Sequence, residues 1–153
     1  MLDHSCQVGR RPFAERGHDL YSTPEVAVEA LLRVWTPPAG IIWEPASGLN
    51  PIVKVLRAHG HDIMASDLVD YGADPTARYG VDFLTATAPP GVTSVITNPP
   101  FKLIEQFVTH ARALVPCVCM LCRLAFLESE RRCHLLDDAG LHQVFVFRKR
   151  LRR

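Results

Sequence analysis

Four consecutive residues, Asn98-Pro99-Pro100-Phe101, directly follow the apolar run Val92 to Thr97. Their types suit one kind of chemistry. The lone pair of an aromatic amine is delocalised into its ring, so the nitrogen is a poor nucleophile. The Asn98 side-chain oxygen can accept one N–H of such an amine, and the Pro99 carbonyl can accept the other. Two acceptors held off the ring plane favour a more tetrahedral nitrogen and release its lone pair towards an electrophile. A following proline pushes Asn98 to extended backbone, and neither proline has an N–H to compete for the acceptors. Phe101 offers a face on which a planar base can stack, worth about 1–3 kcal/mol. The plainer reading is a proline-rich loop that ends a strand. Asn-Pro-Pro-aromatic immediately after an apolar strand is more specific than that.

Three earlier strand ends carry residues of a second kind. Glu44-Pro45-Ala46-Ser47-Gly48-Leu49-Asn50-Pro51 follows the short apolar run Ile41-Ile42-Trp43. Gly48 permits a tight turn close to a ligand, and Asn50 tolerates left-handed backbone better than other non-glycine residues. Asp67 ends the next run, nineteen residues after Gly48. At that spacing an acidic residue reaches ribose hydroxyls in dinucleotide folds, and a carboxylate accepts from both. Asp82-Phe83 closes a weak third run. Asp82 could accept from the amine of a nucleoside cofactor and Phe83 could pack on its ring. Taken singly, each of these residues is more often a turn or a cap, and their order along successive strand ends is what favours a binding site. The G-x-G-x-x-G fingerprint and the P-loop are both absent, which disfavours nicotinamide and nucleoside triphosphate sites.

Strands and helices must alternate to bring these loops to one edge. Ser22-Thr23-Pro24-Glu25 opens a helix, with Thr23 as its cap, Pro24 in its first turn and Val26, Val28, Leu31, Leu32 and Val34 on its apolar side. Strands follow at Ile41–Trp43, Asp62–Leu68, Val81–Leu84, Val92–Thr97, within Val115–Phe126, and at Gln143–Phe147. Helices are expected at 51–59, 103–114 and 128–138. The pattern predicts an α/β fold with a doubly wound, mostly parallel sheet. Its ligands would sit beyond the carboxyl ends of the strands.

These stretches, with Asp19-Leu20-Tyr21-Ser22-Thr23-Pro24, Ala65-Ser66-Asp67-Leu68 and Asp82-Phe83-Leu84, resemble class I S-adenosylmethionine-dependent methyltransferases. Most similar are the adenine-specific amino-methyltransferases of DNA, including phage and prophage members. The resemblance covers about residues 19 to 150, and its order is similar to the gamma arrangement of that family. It implies a Rossmann-like methyltransferase domain over 19–153, S-adenosylmethionine as cofactor and DNA as partner. It implies that Tyr21, Thr23 and Pro24 close over the methionine end of the cofactor. Glu44, Pro45, Ala46 and Gly48 would share that pocket, Asp67 with Leu68 would meet the ribose, and Asp82 with Phe83 the adenine. Asn98, Pro99, Pro100 and Phe101 would be catalytic. Three departures stand out: Asn50 replaces the family's second loop glycine, no separate target-recognition domain is visible, and the sheet lacks its last antiparallel strand.

Bulk composition sets the frame. The chain has 153 residues, 48% hydrophobic, with a net charge of +1. This suits one globular domain and gives no global attraction for nucleic acid. Residues 1–18 read as a flexible arm, without an apolar stretch for a signal peptide or any membrane span, so the cytoplasm is the expected setting. Cys117, Cys119 and Cys122 lack the second ligand pair of a zinc site and read as buried strand cysteines, so no metal is expected. His59 and His61 read as exposed turn residues and Trp43 as core. The basic end, Arg148-Lys149-Arg150-Leu151-Arg152-Arg153, reads equally as a phosphate contact or a solvated terminus. An unpaired sheet edge would suit a homodimer or a partner subunit. Two alternatives stay open: methylation of RNA or of a protein glutamine amide, and a truncated, non-catalytic module that binds cofactor or nucleic acid.

Overall fold

The computed structural model describes residues 22–137, 140–149 and 151. The expected arm and Tyr21 lie outside the described residues. The elements run α1 (Glu25–Leu32), β1 (Ile41–Glu44), α2 (Pro51–Ala58), β2 (Ile63–Asp67), β3 (Arg78–Tyr79), β4 (Val92–Thr97), α3 (Ile104–Leu114), β5 (Cys117–Met120) and α4 (Cys133–Leu136). The strands form one sheet in the order β3-β2-β1-β4-β5, and every pairing in it is parallel. This is the Rossmann-like α/β architecture that the alternation predicts, without an antiparallel strand among the described residues.

Successive strand residues point to opposite faces, and this builds two core layers. Ile42 of β1 and Ile96 of β4 pack with Val28 of α1 and with Ile52, Val53 and Leu56 of α2. Their neighbours Trp43 and Val95 pack with Phe107 and Ala111 of α3 and with Phe83. Helices thus cover both faces. Trp43 is fully buried and its indole N–H donates to Ser66 Oγ at 2.9 Å. Trp43→Ala is expected to cost roughly 3–5 kcal/mol, read as a lower urea midpoint at unchanged slope. A loss below about 1 kcal/mol would contradict this shared core.

Several elements differ from the sequence expectation. The third strand lies earlier, at Arg78–Tyr79, beside Ser66 and Asp67. Gly80, at φ +71°, interrupts the extended chain there, and Asp82 then accepts the Leu84 N–H to start a 3₁₀ turn over Phe83–Thr85. The expected sixth strand at 143–147 does not form, and Val144, Phe145, Val146 and Phe147 stay exposed. Alternation supplies two faces but not a strand partner, and without one the ladder has nothing to pair with. The helix expected over 128–138 shortens to a 3₁₀ turn at Glu130–Arg132 followed by α4, because Ser129 is extended. On α1, Ala27 and Val28 are buried while Val26 faces solvent, as does Val34 beyond the end of the helix. Cys122 lies beyond β5 rather than on it. Cys117 and Cys119 of β5 are half-buried free thiols, and burial pushes the Cys119 thiol up to about 12. Among the described residues no helix is long and apolar enough to cross a membrane, and no cluster of His, Cys, Asp and Glu could hold a metal.

Candidate active site

Strand order reverses between β1 and β4, the switch point at which such sheets open a crevice. The loops after β1, β2 and β4 line an open cleft of about 840 Å³, a volume that includes the solvent at its mouth. Two left-handed residues shape the first loop: Gly48 at φ 53° and Asn50 at φ 62°. Asn50 N–H donates to Ser47 O at 2.7 Å, and α2 begins at the next residue. Asn50 therefore adopts the left-handed backbone that its residue type tolerates. Its carboxamide is buried rather than on the cleft wall, and neither polar atom finds a partner among the described residues.

Asp67 ties the first loop to the second. Its Oδ2 accepts the Gly48 N–H at 2.8 Å and its Oδ1 accepts the Val69 N–H at 2.9 Å. Each carboxylate oxygen keeps acceptor capacity beyond one bond, and Asp67 is on the cleft wall beside Leu68. Pro45, Ala46 and Gly48 form the wall from the β1 loop, and Asp82 closes a further side. Phe83 contributes to the wall but is mainly core. Its ring meets Trp43 at 5.1 Å and Phe107 at 4.8 Å, so little of it remains for a ligand.

Glu44 is not on the wall. It is fully buried behind the cleft, where Oε1 accepts from Thr97 Oγ and from the Ala46 N–H (3.2 Å). The carboxyl thus joins the ends of β1 and β4, immediately before the two loops that carry candidate chemistry. Burial pushes its pKa up to about 8, against the Thr97 and Ala46 hydrogen bonds, with a small upward push from Asp67.

Thr23 does not cap α1. Pro24 occupies the cap position with no side-chain bond, and the Thr23 hydroxyl instead accepts from Asn98 Nδ2 at 3.0 Å. That donation orients the carboxamide and turns its acceptor oxygen away from Thr23. Asn98 and Pro100 are on the cleft wall, whereas Pro99 is buried and Pro24 and Phe101 are not wall residues. The Phe101 ring carries the Arg123 guanidinium at 4.3 Å. That cation occupies one face of the ring expected to stack on a base.

Sequence reasoning passed over Ser47, Tyr71, Leu103 and Phe107, which also line the cleft. Tyr71 has a legible signal, an aromatic four residues beyond the strand-end aspartate. Burial, and then the Asp67 charge, raise its phenol above the usual range. Ser47 lay inside the β1 loop without a distinguishing neighbour. Its hydroxyl is buried and lacks a partner among the described residues. A buried orphan oxygen in a cleft wall suits a polar ligand. With Asp67 as acceptor and apolar walls between, the residues present fit a nucleoside cofactor with a polar tail.

No family model and no curated protein matches the chain. Among solved structures it is similar to a 23S rRNA methyltransferase, ErmE, with a TM-score of 0.54 and 14% identity. The match covers 71% of this chain and 50% of that one, so the chain spans about half the length of that methyltransferase. At this identity the likeness is one of fold.

Proposed function

We propose that this chain is an S-adenosylmethionine-dependent methyltransferase acting on the exocyclic amine of adenine in nucleic acid, with DNA as the first reading. The observation that carries it is Asn98, oriented by Thr23 on the wall of a switch-point cleft. When bound, S-adenosylmethionine supplies a methyl group already activated by its positive sulfur. Asp67 accepts from the ribose hydroxyls, and Leu68 and Tyr71 border that part of the cleft. Ser47 answers the polar tail. Asn98 Oδ1, on the cleft wall, accepts an amine hydrogen and holds the nitrogen for attack. The residues contribute orientation and electrostatics, and a base within a duplex would have to be flipped out.

RNA is the second reading, favoured by the fold likeness to a 23S rRNA methyltransferase. A glutamine amide offers the same N–H pair and is tested alongside. Calorimetry with S-adenosylmethionine and its demethylated product tests the cofactor first. We expect binding, and a ten- to hundredfold loss in Asp67→Ala, the value of hydrogen bonds to a charged acceptor, roughly 1.5–3 kcal/mol. Labelled cofactor offered to DNA, RNA and protein fractions then names the acceptor. Absence of binding at millimolar cofactor would refute the enzyme and favour a non-catalytic module.

A further inference from the structure

We infer that Arg123 is a phosphate anchor that holds a nucleic-acid strand beside Asn98. The inference rests on the nucleic-acid reading above. β4 and β5 stay paired to their ends, with Thr97 opposite Met120 and Leu121 N–H donating to Thr97 O at 2.9 Å. The chain leaving β5 is therefore held alongside the tetrapeptide leaving β4. Arg123 comes two residues after Leu121, and its guanidinium lies over the Phe101 ring, 4.3 Å from the centroid.

Among the described residues, no acidic side chain meets the charge at this position, unlike several of its neighbours. Arg131 and Arg132 on the following segment both bind Glu105, at 2.7 and 2.8 Å. Arg57 is likewise paired, with Asp74 at 2.6 Å. Among the described residues no carboxylate pairs with Arg123, and its side chain is exposed. A guanidinium resting on an aromatic face keeps its five N–H donors in plane, in the fork that matches phosphate oxygens. The ring contact also lowers the freedom lost when a phosphate binds. Lys102, exposed and adjacent to Phe101 in sequence, adds a second positive charge to the same edge. A chain with a net charge of only +1 has no general pull on nucleic acid, so a local, pre-oriented cation beside the reactive residues is where a strand would be gripped.

Binding of a fluorescent adenine-containing oligonucleotide, measured by anisotropy across a salt series with the demethylated cofactor present, tests this. For Arg123→Gln we expect about tenfold weaker binding at low salt, and a slope of log affinity against log salt smaller by about one. Arg123→Lys should restore the slope. Arg131→Gln, whose charge Glu105 already meets, should leave it unchanged, and calorimetric cofactor affinity should be the same in all three variants. An unchanged slope in Arg123→Gln, or an equal effect in Arg131→Gln, overturns the anchor while the methyltransferase reading stands. If the unaltered protein binds cofactor but neither DNA nor RNA oligonucleotides, the substrate reading and the anchor fall together.

Discussion

Replacing Asn98 with alanine is expected to reduce methyl transfer by at least about 10²–10³-fold, the usual cost of deleting one preorganised polar contact to a reacting group. Cofactor affinity should change far less, because Asp67 and the β1 loop hold the other end of the cleft. The Thr23 hydroxyl makes the test sharper. It accepts from Asn98 Nδ2 at 3.0 Å, so Thr23→Val should lower the turnover by loosening the carboxamide, and Thr23→Ser should recover it. Asn98→Asp keeps an acceptor oxygen but loses the donor to Thr23, and it should fall between wild type and alanine. Single-turnover transfer from labelled cofactor measures each. Full transfer in Asn98→Ala would remove the proposed mechanism.

The second large effect concerns Glu44 and is read in stability. Its carboxyl is fully buried, and desolvation raises its pKa from 4.5 to about 8. In the unfolded chain the same group ionises near its ordinary value. Below pH 4.5 both states are protonated and the native state has its full advantage. Between pH 4.5 and about 8 the unfolded state releases the proton while the folded state retains it, so stability falls as pH rises, by an amount on the order of a few kcal/mol. Above that window the difference levels off. Glu44→Gln keeps an acceptor for Thr97 Oγ and the Ala46 N–H and cannot ionise. The variant should therefore gain on the wild type steadily across the window. Asp74 and Glu105, both held below their ordinary values with hydrogen bonds to partner groups, titrate identically in both proteins and cancel in the comparison. Urea unfolding from pH 4.5 to 9 gives the difference directly, and a flat difference would show that Glu44 is charged in the folded protein.

The extent to which this protein was legible differs from residue to residue. The parallel architecture followed from local patterns. The apolar run Val92–Thr97 predicts β4 at its observed limits, and Asn50, a residue type that tolerates positive φ, adopts it. Those are properties of short windows, where a period of two or a preference for positive φ is written in neighbouring residues. The misplaced third strand and the missing sixth failed for one reason: a strand exists only with a partner, and pairing is not local. β3 forms at Arg78–Tyr79 because Ser66 and Asp67 lie beside it, whereas 143–147 alternates correctly and remains exposed.

The candidate site divides in the same way. Sequence alone determined the residue types: a carboxamide before two prolines, an acid after a strand, a glycine loop and an aromatic neighbour. Tertiary structure decided their offices. It put Glu44 behind the cleft as a strut to Thr97, bound Asp67 to Gly48, turned Thr23 from helix cap to partner of Asn98, and laid Arg123 on Phe101. Each of those contacts joins residues on separate loops of a folded sheet. Chemical identity is carried by the residue itself, but desolvation, orientation and charge compensation depend on what the rest of the chain brings against it.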